Sequence, residues 1–167
     1  SDVATETGLS KSAVFSHLGH REELELAVLQ HLCEQFTTNV WKPALDQPRG
    51  KHRLDGVFER WLDWVDGKPG GGGCGVIQAQ IEFDDQPGPT REYLRAQQRR
   101  WNGVLDSEFR HLAAGIGSEA AQQMAFEFRC IILGYNQSHR LMVDRSARAK
   151  AKSAYGRLMS RNPSAKH

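Results

Sequence analysis

The sequence predicts an all-α protein. Apolar residues recur at the helical period of 3.6 along its 167 residues, while β-branched alternation never persists. Breaks fall at regular places: "QPRG" at 47–50, "GKPGGGG" at 67–73, "DDQPGP" at 84–89 and "GIGS" at 115–118. Roughly eight or nine helices with short connections are expected, packed around one core.

Composition narrows the class. The chain is 39% hydrophobic and 25% charged, the balance of a folded soluble protein rather than a disordered one. The longest apolar run, around "CIILGY", is far short of the ~20 residues of a membrane helix. Residues 1–21 carry acids and a glycine and lack an apolar core segment, so they are not expected to act as a secretory leader. The cysteines Cys33, Cys74 and Cys130 are scattered and odd in number, which suits a reducing cytoplasm. Neither a membrane partner nor a cofactor is expected.

Charge is uneven. Residues 1–21 are neutral overall, 22–139 carry −5, and 140–167 carry +7. A basic tail can be a nucleic-acid arm. Here Arg145, Arg148 and Lys152 are spaced by alanines and serines, which favours a solvated helix face.

The elements follow in order. Residues 2–21, "DVATETGLSKSAVFSHLGHR", hold two short helical patterns joined through Gly8. "REELELAVLQHLCEQF" places Leu24, Ala27, Val28, His31 and Leu32 on one stripe. Glu22, Glu23 and Glu25 sit near its start, where acids complement the helix dipole. This helix should run to about Trp41 and stop before Pro43. "RLDGVFERWLDWV" has Leu54, Val57, Phe58, Trp61, Leu62 and Val65 on a wide apolar face. "CGVIQAQIEF" reads as a short buried helix. Thr90 is a candidate N-cap for a long helix with the stripe Leu94, Trp101, Leu105, Phe109 and Leu112. Ser118 would cap the next helix. That helix is apolar on more than one side: Met124, Phe128, Ile131 and Tyr135 on one, Ala125, Ile132 and Leu133 on another. Such a helix must be covered twice, and in a small chain a second subunit is the natural cover. A last helix spans about Ser146 to Met159.

The opening stretch carries a motif. Ala4 is small enough for two helices to cross closely, Gly8 can adopt positive φ at the turn, and Val14 fills the angle with Val3 and Leu9. Ser10 then caps "KSAVFSHL". This is the helix-turn-helix pattern, whose second helix enters the major groove. Val14 and Leu18 read as core, and Phe15 reads equally as core or as a DNA contact.

"GLSKSAVFSHLGHREEL" resembles the signature of the TetR family of transcriptional repressors, in which such a run joins the recognition helix to a long connecting helix. "GCGVIQAQIEFDDQPGPTREYLRAQQRRW" is similar to a segment of one branch of that family. The resemblance implies a helix-turn-helix head over residues 1–32, whose first helix would lie ahead of this chain's start. It also implies a helical effector-binding and dimerisation domain over 33–167. Ser10, Lys11, Ser12 and Ala13 would meet double-stranded operator DNA. Phe15 stands where the family usually has a phosphate-binding tyrosine. His17 would lie near the backbone, and Arg21 would take the place of a phosphate-binding lysine. Base reading would fall to Lys11, Ser12 and Ser16.

The same resemblance implies a small-molecule site among the middle helices. Trp61, Trp101 and Phe126 are candidate walls and Gln78 and Glu82 candidate anchors, for a small, largely apolar or aromatic effector. Aromatics at this spacing also read simply as core. Homodimerisation would use the last two helices, through Phe128, Ile131, Ile132, Tyr135, His139, Arg148 and Tyr155. The alternatives are a helical dimer without DNA-binding activity and a small enzyme using Cys74. Against an enzyme, no Cys and His stand at a recognised catalytic spacing, and "GGGGCG" lacks the Lys and Ser/Thr of a phosphate loop. His17 and His20 are three apart but have no CxxC or HExxH beside them, so no metal site is expected.

Overall fold

The computed structural model describes residues 11–67, 73–112 and 117–161, with side chains described from residue 21 onward in the first of these stretches. Among them are six α-helices and no strand. They are α1 (Lys11–Phe36), α2 (Lys51–Val65), α3 (Gly75–Glu82), α4 (Pro89–Leu112), α5 (Ser118–Asn136) and α6 (Ala147–Ser160). α1 continues as a π-helical turn, Thr37–Trp41, and a 3-10 turn, Lys42–Ala44. α5 continues as a π-helical turn, Gln137–Leu141.

The count is lower than expected for two reasons. The first pattern of the helix-turn-helix lies outside the described residues. The second is fused with the connecting helix, because α1 runs unbroken through Gly19 and His20. A single interior glycine costs only about 1 kcal/mol, too little to end a helix with strong formers on both sides. The helical path lasts until Pro43, which occupies the first turn of the 3-10 segment, where its missing N–H does no harm.

α1 buries a different face from the one predicted. Leu29, Phe36 and Val40 are buried, with Leu32 and Cys33 packed against the core, while Leu24 and Val28 are 64% and 50% exposed. Two apolar stripes compete on this helix. The stripe through Leu29 extends into Phe36 and Val40, and burying it removes more apolar surface from water.

α2 is as predicted: Leu54, Val57, Phe58, Trp61, Leu62 and Val65 are all buried. It lies at the centre, against α4, α5 and the π-helical turn after α1. α1 packs on α3 and α4, α4 on α5, and α5 on α6. Gly75, at the start of α3, allows α3 to lie close to α1. A Cβ there would come within 2.9 Å of Leu32 Cδ1 and Cδ2.

Two caps differ from expectation. α4 begins at Pro89, suited to a first helical position, so Thr90 lies inside the helix, buried and with its Oγ1 unpaired. α5 is preceded by Gly117 at φ 85°, and Ser118 falls inside the first turn without capping it. At α6 the cap comes from Asp144, whose carboxylate accepts from the Ser146 N–H (2.8 Å), the Ser146 hydroxyl (2.6 Å) and Lys150 Nζ (2.9 Å). These donors hold Asp144 well below the usual carboxylate range, the Ser146 hydroxyl first among them.

Beside it, Val143 sits at φ 52°, an uncommon conformation for a β-branched residue, with its side chain 75% exposed. Val143→Gly is expected to raise stability by about 1 kcal/mol, because it relieves the left-handed strain and removes no core contact. A shift of the denaturant midpoint to higher concentration at unchanged slope checks this.

The predicted dimer residues of α5 and α6 are largely internal. Phe128, Ile132, Tyr135 and Tyr155 are buried by their own chain, although Tyr135, with Ile131, also lines a shallow groove between α5 and α6. Phe58 stacks on Tyr155 at 4.1 Å and meets Phe128 edge-on at 5.9 Å. The Tyr155 hydroxyl donates to Asp55 (2.8 Å) and the Tyr135 hydroxyl to Asp66. His139 and Arg148 also turn inward, to α2. Arg148 meets Asp66 at 2.6 Å, Asp63 at 2.8 Å and Glu59 at 3.1 Å, and His139 Nε2 stands 3.3 Å from Asp66. Lys152 adds a contact to Glu59 at 2.9 Å. Part of the basic C-terminal region is thus matched to an acidic stripe on α2. Ile131 is half-buried. What faces outward on α5 is Phe126, Cys130 and Leu133.

Candidate effector cavity

The cavity forms where four helices and the π-helical turn after α1 meet. α1 contributes Cys33 and Phe36, and the π-helical turn that follows contributes Trp41. α2 contributes Trp61, and α4 contributes Trp101. α3 closes the space with Cys74, Ile77 and Gln80. Its volume is about 180 Å³. The π-helical turn is what brings Trp41 here. Its extra residue per turn shifts the register after Phe36, and the Thr37 hydroxyl donates to the Cys33 carbonyl at 2.8 Å as the turn begins.

The aromatic walls lock one another. Phe36 meets Trp61 at 5.0 Å and Trp101 at 5.2 Å, both edge-to-face, and Trp41 and Trp61 each meet Trp101 in the same way. Such pairs contribute about 0.5–1.5 kcal/mol each beyond their burial, so the walls are preformed. Polar groups are few: Thr37 from the π-helical turn, Gln80 from α3, and Gln97, Gln98 and Arg100 from α4. A second compartment of about 250 Å³ shares Trp61, Ile77, Gln80, Gln98 and Trp101 with the first. It reaches the outer side of α5 at Phe126, Arg129 and Leu133.

Both cysteines in the first compartment are wall residues. Burial pushes the Cys33 thiol up to about 11. Burial also pushes Cys74 up, and outweighs the N–H groups of Ile77, Val76, Trp61 and Trp64 that face its sulfur. A thiol kept protonated is a weak nucleophile, which argues against Cys74 as a catalytic group.

The sequence-predicted ligand residues divide. Trp61 and Trp101 line both compartments, and Phe126 lies at the mouth of the second. Gln78 and Glu82 are exposed and line neither. α3 is one short helix, and its inward polar residue is Gln80, two positions and about 200° round from Gln78. Gln98, Asn102 and Arg129 were not foreseen. They look like ordinary surface positions of long helices, and only the tertiary fold brings them to one space.

The family model of the tetracyclin repressor-like, C-terminal domain matches residues 50–155, from the turn before α2 to Tyr155 in α6. The chain belongs to the TetR family. No curated protein matches it. The matched span contains α2, α3, α4 and α5, the helices that supply most of the cavity walls of this TetR-family regulator. No helix among its described residues is long and apolar enough to cross a membrane.

Of the predicted DNA contacts in this TetR chain, Ser10 and the side chains of Lys11, Ser12, Ala13, Phe15, Ser16 and His17 lie outside the described residues. Arg21 is exposed near the N-terminal end of α1, and its Nε donates to Glu25 at 2.7 Å.

Proposed function

We propose that the chain is a ligand-responsive transcriptional repressor. It binds operator DNA as a homodimer through its N-terminal helix-turn-helix and releases it when a small, largely apolar effector fills the cavity. One observation carries this reading: the cavity is walled by α1 itself. Cys33 and Phe36 lie on the same continuous helix whose first turns carry Lys11, Ser12 and Ser16. An effector that presses on this end of α1 moves the other end with it.

Operator binding needs two heads about one helical turn apart, near ~34 Å. A ligand that favours another spacing shifts the population away from the DNA-bound state, by as much as its preference between the two. The dimer is assigned to the outward side of α5 and α6. Phe126 and Leu133 are exposed there, beside a shallow groove lined by Ile131 and Tyr135 together with the small residues Gly134, Ala151 and Ala154. Small residues let a partner's helices approach closely. Localisation in the cytoplasm follows from this role.

Arg21 provides the test. Titration of DNA from upstream of the coding region, in a salt series, is expected to give affinity that falls linearly on a log–log plot. Arg21→Ala should weaken operator and unrelated DNA alike and reduce the salt slope by about one, as for a phosphate contact. Absence of salt-dependent binding to any DNA would sink the proposal.

A further inference from the structure

Seven buried side-chain nitrogen or oxygen atoms among the described residues have no hydrogen-bond partner. Four of them belong to residues that line the second compartment: Trp61 Nε1, Trp101 Nε1, Asn102 Oδ1 and Arg129 Nη1. Buried polar groups in folded proteins are nearly always paired, so a cluster of unpaired ones in one cavity wall points to something that pairs them there. Three of the four are donors, and the missing partner must therefore supply acceptors.

Arg129 decides what kind. Its guanidinium is always charged, and its side chain is mostly buried. Asp106 Oδ1 stands 4.0 Å from Nη1, too far for a hydrogen bond, and the Phe126 ring centroid lies 5.9 Å from Arg129 Cζ. The cation is thus left with a distant carboxylate, an aromatic face and an unused N–H. An anionic oxygen satisfies it better than a neutral carbonyl, because a charge-assisted bond is about twice as strong as a neutral one. The remaining walls, Ile77, Phe126, Leu133 and the two indole rings, offer apolar surface.

We propose that the effector is an apolar carboxylic acid. Its carboxylate accepts from the Arg129 guanidinium and the Trp101 N–H, and its hydrocarbon body runs along Trp61 and Trp101 toward the first compartment. The proposal rests on reading the cavity as an effector site, and it names the class of molecule that site selects. The Trp61 N–H is turned toward the sulfur of Cys74, so the donors left for the acid are those of Trp101 and Arg129.

Because Trp61 and Trp101 line the site, tryptophan emission of the full chain reports its occupancy. The probes are 2-naphthoate, its methyl ester and naphthalene, with calorimetry as the second readout. Naphthoate is expected to bind roughly tenfold or more tighter than the ester or the hydrocarbon. Arg129→Gln should abolish that advantage and leave naphthalene affinity unchanged. Equal affinity for all three probes overturns the carboxylate assignment alone and leaves the cavity as a neutral-ligand site. Binding of none overturns both the assignment and the effector reading. Loss of the dimer in Arg129→Gln with naphthoate affinity intact also overturns it, and assigns the guanidinium to a partner subunit.

Discussion

Truncation of Phe128 to alanine is expected to lower the free energy of unfolding by about 3–5 kcal/mol, the range for emptying a large aromatic site in a packed core. Phe128 is fully buried within its own chain, at ring distances of 5.9 Å from Phe58, 5.8 Å from Phe109, 5.8 Å from Tyr155 and 6.1 Å from Trp61. These neighbours come from α2, α4 and α6, so no single element can close the space left behind. The distinction from an interface residue is measurable. Phe128→Ala should lower the denaturant midpoint while the subunit dissociation constant, followed by sedimentation, stays where it was. Leu133→Ala, on the outward side of the same helix, should do the reverse. Unchanged stability with weakened association of Phe128→Ala would return that residue to the interface.

How far the sequence could be read depended on how many stripes each helix offered. α2 has one apolar face, and all six of its residues are buried as expected. α1 has two, and periodicity alone does not say which meets the core. The deciding factor, the continuation of one stripe through Phe36 into Val40, depends on a π-helical turn with no sequence signature. α5 is apolar on two sides, and the need for two covers was legible. Which side the chain itself covers was not: α2, α4 and α6 pack over the side that holds Phe128, Ile132 and Tyr135 and leave Phe126 and Leu133 outside.

The site was legible in its aromatics and obscure in its polar groups. Trp61 and Trp101 stand on the inward stripes of α2 and α4, so their placement follows from helix geometry. Gln80 and Gln78 differ only in phase on a short helix that buries Val76, Ile77 and Ala79. Arg129 is one of many cations, and its loose, 4.0 Å pairing with Asp106 exists only in three dimensions. Glu59 and Asp63 on α2 and Asp66 at its C-cap recur at helical spacing, and they mark the face to which Arg148 and Lys152 are bound.

Glu108 is the site where a single charge holds the most structure. It is 3% exposed, on α4, and its carboxylate accepts from Arg49 Nε (3.0 Å), the Gly50 N–H (3.1 Å) and Arg53 Nη1 (3.2 Å). Arg53 in turn donates to the carbonyls of Leu45 and Gln47, so one acid clamps the whole turn between the π-helical segment and α2. Gly50 takes φ 80° there, and a Cβ on it would meet His111 Cδ2 at 3.3 Å, so the turn is fitted closely against the end of α4. Removing the acid leaves a buried N–H and the mostly buried Arg53 guanidinium without their partner. Breaking such a pair from one side costs about 3–5 kcal/mol, well above the ~0–1 kcal/mol of an exposed ion pair. Glu108→Ala is therefore expected to destabilise by about 3 kcal/mol, discounted within that range because Arg49 can return to solvent. Glu108→Gln keeps the shape and an acceptor for Gly50, and should lose roughly half as much. Denaturant unfolding of both variants checks the order, and a loss below about 1 kcal/mol for Glu108→Ala would show that the clamp does not carry the turn. The effect should reach the cavity as well. The clamped turn follows directly on the segment that carries Trp41, so loosening it releases one aromatic wall. Naphthalene affinity should then fall in Glu108→Ala although the variant lies on none of the cavity's walls.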